Sequence, residues 1–290
     1  MKRFKYLFKL KDNLNRKCYL TNNSIIYIKS NYHNNSFKEK YDAFIPNNNP
    51  LLLKLRYLYQ KMQANLYKKN KNIFEELFSN LLTYVPKIYR EGNFLDVGSN
   101  DGLFLSLLPK HWNKYGVEIS KKAYLNSLKY KNIKVFNTSL EKLRTATKFD
   151  LIRVSHVIEH IKNYHVFVHK INELTKKNGR VLIYTPNTSS LAYFLFKKNW
   201  AGFYEKTHVN LFNINSLQNI MEKEGFKIIK SGTYYMGTGA ASLLAFLNIN
   251  QNTIFGTILF YIFFIFLYPI GLLLNLFKLG SVLYIYAYKK

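Results

Sequence analysis

From residue 93 to residue 232, short apolar runs alternate with stretches of helical period. Runs rich in Val, Ile, Leu, Phe and Tyr at 93–97, 113–118, 133–136, 149–154, 180–185 and 226–232 predict strands. The segments between them, near 101–108, 120–130, 139–145, 164–176 and 215–224, carry apolar residues three and four apart and predict helices. Asn178-Gly179 marks a turn ahead of the fifth strand, and Gly225 a helix C-cap ahead of the sixth. Such alternation predicts an α/β fold with a doubly wound sheet. The last ten residues, SVLYIYAYKK, alternate with a period of two and predict a closing strand after Gly280.

Upstream the pattern is weaker. Residues 1–49 are polar and Asn-rich and end in IPNNNP, which reads as a linker. The opening MKRFKYLFKLKD has no continuous apolar stretch, because Lys5, Lys9 and Lys11 interrupt it, so a signal peptide is not expected. An amphipathic surface helix is an alternative reading there. From Leu51 to Lys68, the residues Leu52, Leu55, Leu58, Tyr59, Met62 and Leu66 recur at helical spacing, and a second helix is expected from Asn72 to Val85, closed by Pro86. The expected organisation is a polar extension (1–49), a helical segment (50–92) and the α/β domain (93–290), with a hydrophobic insertion at 240–278 before the last strand.

Between Lys230 and Lys278 no residue is charged, and Ile254 to Leu274 is nearly all Ile, Leu, Phe and Tyr. As a helix rising about 1.5 Å per residue, that core is long enough to cross a bilayer. If the strands on either side belong to one sheet, however, the chain must return to the side it left. Pro269 and Gly271 offer a break, so a re-entrant or interfacial hairpin of two half-helices is expected, with a single transmembrane span as the main competing reading and a buried soluble lid as the third.

Composition adds two constraints. Forty-three Lys and Arg against sixteen Asp and Glu give a formal charge of +27, which favours anionic partners such as a membrane surface, nucleic acid or phosphorylated substrates. The basic residues are scattered singly, without an Arg-rich block. The one cysteine, Cys18, rules out an internal disulfide and any cysteine-based zinc cluster.

The chemistry gathers around FLDVGSNDG, residues 94–102. An apolar run ends at Asp96 and Val97 in a turn bounded by Gly98 and Gly102, and the next apolar run ends at Glu118 in YGVEIS. A buried strand feeding a glycine turn lets backbone approach a nucleotide, and an acid at the tip of the next strand can accept from both ribose hydroxyls. Ser99, Asn100 and Asp101 make the turn better suited to a cationic ligand than to a pyrophosphate. After the fourth strand comes FDLIRVSHVIEHI, in which His156, Glu159 and His160 form H-x-x-E-H. The motif starts at a strand end, and no later helix offers an acidic third ligand, so no metal is expected.

At these residues the chain resembles the class I S-adenosylmethionine-dependent methyltransferases, in particular the group of ubiquinone-type O-methyltransferases and glycan-modifying enzymes, which typically read H-V-L-E-H at this point. The resemblance covers roughly 90–232 and continues in NGRVLIYTPN and THVNLFNINSLQNIMEKEGF. It implies a Rossmann-like seven-stranded sheet whose last strand inserts antiparallel beside the sixth, helices covering the cofactor, and S-adenosyl-L-methionine as cofactor. It also implies that Asp96, Gly98, Ser99, Asn100 and Gly102 contact the methionine part, Glu118 the ribose and Ile119 the adenine, with Ser139 and Leu140 at the adenine edge. Many relatives place an aspartate at that edge; this chain has Thr138-Ser139-Leu140. Ser155 and His156 would lie beside the sulfonium. His208, where the family often has a histidine, and His156 are the candidate general bases; His160 is expected to be structural.

The expected function is methyl transfer to a hydroxyl of a lipid-linked or cell-envelope glycan, or of a lipid, at the cytoplasmic face of a membrane. A quinone-type or other small-molecule acceptor is the alternative. An RNA methyltransferase is less favoured, because SHVI after the fourth strand lacks the proline and aromatic that hold an exocyclic amine. The aromatic-rich stretch 188–204 could be an acceptor platform, a membrane-facing wall or local core.

Overall fold

The computed structural model describes residues 4–10, 16–29, 50–69, 71–87, 91–250 and 253–290. Strands and helices are numbered along the chain: β1 Phe4–Lys9, β2 Lys17–Thr21, β3 Ile26–Lys29, α1 Pro50–Asn65, α2 Ile73–Leu82, β4 Gly92–Val97, α3 Leu103–Leu107, β5 Trp112–Val117, α4 Lys121–Ser127, β6 Lys134–Phe136, β7 Phe149–Ser155, α5 Tyr164–Leu174, β8 Thr175–Pro186, α6 Leu191–Phe196, β9 Asn210–Leu211, α7 Ile214–Lys223, β10 Phe226–Tyr234, α8 Thr238–Phe246, α9 Ile254–Leu276 and β11 Val282–Lys289.

Seven strands form the central sheet in the order β10-β11-β8-β7-β4-β5-β6. β6, β5, β4, β7 and β8 run parallel, and β11 lies antiparallel between β8 and β10. This is the Rossmann-like sheet with an inserted final strand that the sequence pattern and its resemblance imply. Helices cover both faces, so successive strand residues enter opposite cores. Leu95, Ile152, Ile183 and Leu283 face α5 and α7, through Phe167, Ile171, Leu217 and Met221. Phe94, Leu151, Leu182 and Tyr284 face the other layer, with Tyr67, Phe104 and Trp112. The YIYAY pattern of β11 becomes an aromatic face, where Tyr84 stacks on Tyr284 at 4.2 Å, and an aliphatic face on the opposite side.

Three expectations change. First, the N-terminal segment is neither linker nor surface helix where it is described. β1, β2 and β3 form an antiparallel sheet with β9, and Cys18, Ile26 and Ile28 bury against Trp200, Phe203 and Leu211. The period of two in KCYL and IYIK outweighs the surrounding lysines, whose charged ends reach solvent. Arg16 ties this sheet to the main domain by donating to the carbonyls of Phe203 (2.6 Å) and Glu205 (3.1 Å). The linker reading of IPNNNP lies outside the described residues up to Asn49; Pro50 opens α1. The side chains of Leu52 and Leu55 lie outside them too.

Second, Pro269 does not break the apolar helix; α9 runs unbroken from Ile254 to Leu276. Gly271 serves close packing: a Cβ there would come within 2.3 Å of the Tyr235 ring. The hairpin is made instead by α8 and α9 as its two arms. Third, the expected helix at 139–145 is a single 3-10 turn, Leu140–Lys142.

Candidate functional site

The glycine turn is built by backbone conformation. Gly98 (φ 76°) and Gly102 (φ 74°) lie in the left-handed region, where a side chain is strained, and Asn100 joins them at φ 50°. A Cβ at Gly98 would stand 2.5 Å from Val157 Cγ2, so only glycine keeps this cradle open. Glu118, 6% exposed, accepts from the Asn100 N–H through Oε2 and the Ser120 N–H through Oε1, both at 2.8 Å. Burial raises its carboxyl above the usual range, and these backbone donors work against that rise. Each oxygen keeps lone-pair capacity for a further donor.

A cavity of about 430 Å³ opens at the C-terminal ends of β4, β5 and β7. Gly98, Asn100, Glu118, Ile119, Ser139, Leu140, Ser155, His156 and His208 all line it, so most of the residues picked from sequence meet at one place. Asp96, Ser99 and Gly102 do not face it. Asp96 accepts a 2.7 Å bond from Arg153 Nη1, its neighbour across the sheet. Burial opposes the charge on Arg153, and Asp96 more than restores it. Ser99 is buried behind the turn, and Gly102 caps α3 against Ser127. One residue outside the sequence reading completes the turn: Arg56 of α1 clamps Asp101 through two bonds of 2.8 and 2.7 Å. Burial would raise the Asp101 carboxyl, but Arg56 outweighs it and holds it low. No local pattern pairs a helical arginine with an acid 45 positions on.

The H-x-x-E-H segment does not form one helix. His156 follows the strand with φ 55°, and Ile158–His160 is a 3-10 turn. Glu159 is fully buried; its Oε1 meets His156 Nδ1 at 3.2 Å, and its Oε2 accepts from the Thr185 hydroxyl at 2.9 Å. Burial alone would raise this carboxyl, but His156 reverses the effect and holds it at about 2. An ionised carboxylate can only accept, so His156 carries its proton on Nδ1 and its lone pair on Nε2. That Nε2 is buried without a partner.

His208 has a similar tautomer. Its Nδ1 donates to the Gly202 carbonyl at 2.7 Å, and burial, reinforced by His160, depresses its pKa to about 4. The Thr207 hydroxyl donates to Glu205 and so receives from His160 Nδ1 at 2.9 Å. The His160 and His208 rings lie 4.8 Å apart. Glu159, His160 and His208 offer ligand atoms within 4.8 Å of one another, close enough to share one cation. The H-x-x-E-H spacing points instead to His156 with His160, and no sequence signal joins them to His208. His156 and His208 also wall a second cavity on the side of α8 and α9.

A family model described as "Methyltransferase domain" matches residues 69–231. No curated protein matches the sequence. Among solved structures, a SAM-dependent methyltransferase from Thermotoga maritima superposes with TM-score 0.50 and 15% identity over 88% of this chain and 96% of its own. A chain from the complex of the Haloferax volcanii Trm112 methyltransferase activator with a methyltransferase gives 0.53 and 11%, over 86% and 97%. The N-methyltransferase NodS from Bradyrhizobium japonicum, crystallised with S-adenosyl-L-homocysteine, gives 0.49 and 11%, over 87% and 97%. These are likenesses of fold.

Proposed function

The chain belongs to the methyltransferase-domain family, and from that premise we propose that its acceptor is a hydroxyl of a lipid-linked or cell-envelope glycan, or of a lipid, at the cytoplasmic face of a membrane. Its cofactor is S-adenosyl-L-methionine, which supplies, when bound, a methyl group on a cationic sulfur. The residues present fit that group. The Gly98 cradle gives room beside the turn, Glu118 has acceptor capacity for ribose hydroxyls, and Ile119 and Leu140 offer an apolar wall to the base. Asn100, Ser139 and Ser155 would serve as polar neighbours in the same cavity. Asp96, Ser99 and Gly102 would act from behind, by fixing the turn.

The observation that carries the reading is the His156–Glu159 pair. An aliphatic hydroxyl is a poor nucleophile until its proton has somewhere to go. The Glu159 carboxylate orients His156, a residue of the cavity wall, and leaves its Nε2 buried without a partner. His156 is therefore the general base in this account. His208, depressed to about 4, stays neutral near pH 7 and acts as an acceptor that orients the hydroxyl.

The membrane part rests on α9. It is long and apolar enough to cross a bilayer, with mean hydropathy 2.4, and only 6% of its most apolar window is buried. β10 and β11 are paired at Tyr234 and Val282, so the insertion leaves and rejoins the sheet at one place. α8, nine residues long, reaches about 13 Å and cannot return across a bilayer. An interfacial or re-entrant anchor meets both constraints.

The test is incubation of the purified chain with labelled methyl donor and vesicles made from a total lipid extract. Label in the organic phase is expected. Label only in added RNA or in water-soluble small molecules would contradict the proposal.

A further inference from the structure

We propose that the second cavity, between the two histidines and the α8–α9 hairpin, is the acceptor site, and that it takes an amphiphile with an uncharged, hydroxyl-bearing head and an apolar tail. The inference rests on the methyl-transfer reading and specifies where, and from which side, the acceptor binds.

The cavity measures about 280 Å³, near the lower end of ligand sites. His156 and His208 form the wall that it shares with the cofactor cavity. A hydroxyl held there lies beside His156 and His208, on the wall shared with the cofactor cavity. The remaining lining, which includes Ala201, Met236, Ala241 and Phe260, contains no Lys, Arg, Asp or Glu. A phosphate or carboxylate head would enter this cavity unpaired, and a nucleic acid would find neither basic groove nor stacking platform. An uncharged head meets no such penalty.

The far wall argues for the tail. Thr238 and Ala241 come from α8 and Phe260 from α9, the two helices whose other faces carry Phe246, Ile258, Ile265 and Phe266 into the open. Gly237, at φ 70°, lets the start of α8 close on α9: a Cβ there would lie 2.9 Å from Phe264 and 3.3 Å from Phe260. An apolar tail leaving the head passes directly onto exposed apolar surface, and so into whatever lipid that surface contacts.

The hairpin is also tied to the histidine. The Ala201 N–H donates to Ser242 Oγ at 2.9 Å, and the Tyr204 hydroxyl donates to the Ala241 carbonyl at 2.8 Å. Between these anchors lies Gly202, whose carbonyl holds His208 Nδ1. Three hydrogen bonds thus connect α8 to the ring that faces the hydroxyl. The apolar insertion is both anchor and wall of the site.

The chain's single cysteine, Cys18, is fully buried, so Ala241→Cys would introduce the only reachable thiol and set it in the cavity. In the full-length protein, alkylation of that thiol by a maleimide would be timed with S-adenosylhomocysteine present, without any turnover. The probes are octyl glucoside below its micellar concentration, 4-octylphenol, glucose and dodecylphosphocholine. Protection of fivefold or more by octyl glucoside or by 4-octylphenol, and little by glucose or the charged amphiphile, is the expected result. Whichever neutral probe protects better tells a sugar head from a phenolic one. No protection by either neutral amphiphile, or equal protection by glucose or dodecylphosphocholine, overturns the proposal. Thr238→Cys on the same rim repeats the test should the first variant fold poorly. Maleimide-blocked protein should also lose methyl transfer while its S-adenosylhomocysteine affinity stays unchanged. Protection without any lipid methylation would leave the cavity standing and sink the lipid-hydroxyl reading. Lipid methylation without protection would do the reverse.

Discussion

At the scale of single residues, Glu118 joins the turns that follow two neighbouring strands, through Asn100 and Ser120, while lining the cavity proposed for the cofactor. Glu118→Ala should weaken S-adenosylhomocysteine binding by about 1–3 kcal/mol, from lost hydrogen bonds to a charged acceptor. Unchanged affinity by calorimetry would remove the ribose assignment. His156→Asn tests the base without releasing the backbone, since Asn tolerates the positive φ found there. It should lower kcat by roughly 10²–10⁴-fold with cofactor affinity intact; an unchanged kcat would transfer the role elsewhere. His208 makes a prediction about stability. Its pKa is depressed by burial to about 4, so the unfolded chain binds the extra proton first as pH falls. Stability should be complete above the ordinary histidine value and drop by up to about 1.4 kcal/mol per pH unit from there down to about pH 4. His208→Gln should flatten that part of the profile in urea titrations. Gly98, Glu118 and His156 were legible because their chemistry follows from strand ends, which apolar runs announce. The Arg56–Asp101 clamp and the approach of His208 to His160 were not, because they join residues far apart in sequence through packing alone.

At the scale of elements, the parallel sheet could be read because strands buried on both faces are continuous apolar runs. The final strand could be read from its alternation. The N-terminal sheet escaped because its strands are short and lysine-studded, and they gain their stability from Trp200 and Phe203, in a segment with no predictable secondary structure of its own. The apolar insertion was legible in character and misread in detail. Pro269 suggested a break, but Tyr235, stacked 6.0 Å from Phe264 and pressed against Gly271, packs along α9 on either side of it. Replacing residues 253–277 by a short loop should release the protein from vesicles in flotation assays while leaving S-adenosylhomocysteine binding in place. If the shortened chain still floats, the basic surface is the anchor. If cofactor binding is lost as well, α9 supports the fold and the two roles are not separable.

At the scale of the whole molecule, a charge of +27 and an exposed apolar helix would act together on the membrane surface proposed above. On that proposal, charge would draw the chain to an anionic surface over a Debye length of about 8–10 Å, and the helix would then hold it by burial. Binding to anionic vesicles should therefore weaken between 0.1 and about 0.5 M salt without vanishing, whereas a purely electrostatic contact would disappear. The cavities proposed for the cofactor and for the acceptor share His156 and His208, and α8 and α9 wall the second one. On the proposed function, this arrangement would put the chemistry where a membrane amphiphile can reach it without leaving the bilayer. The decisive experiment is mass spectrometry of fractionated lysate after incubation with the protein and a trideuteromethyl-labelled donor. The labelled methyl is expected on oxygen, in a molecule that partitions into the lipid extract. A label on nitrogen or carbon, or one confined to nucleic acid, would contradict the proposed function.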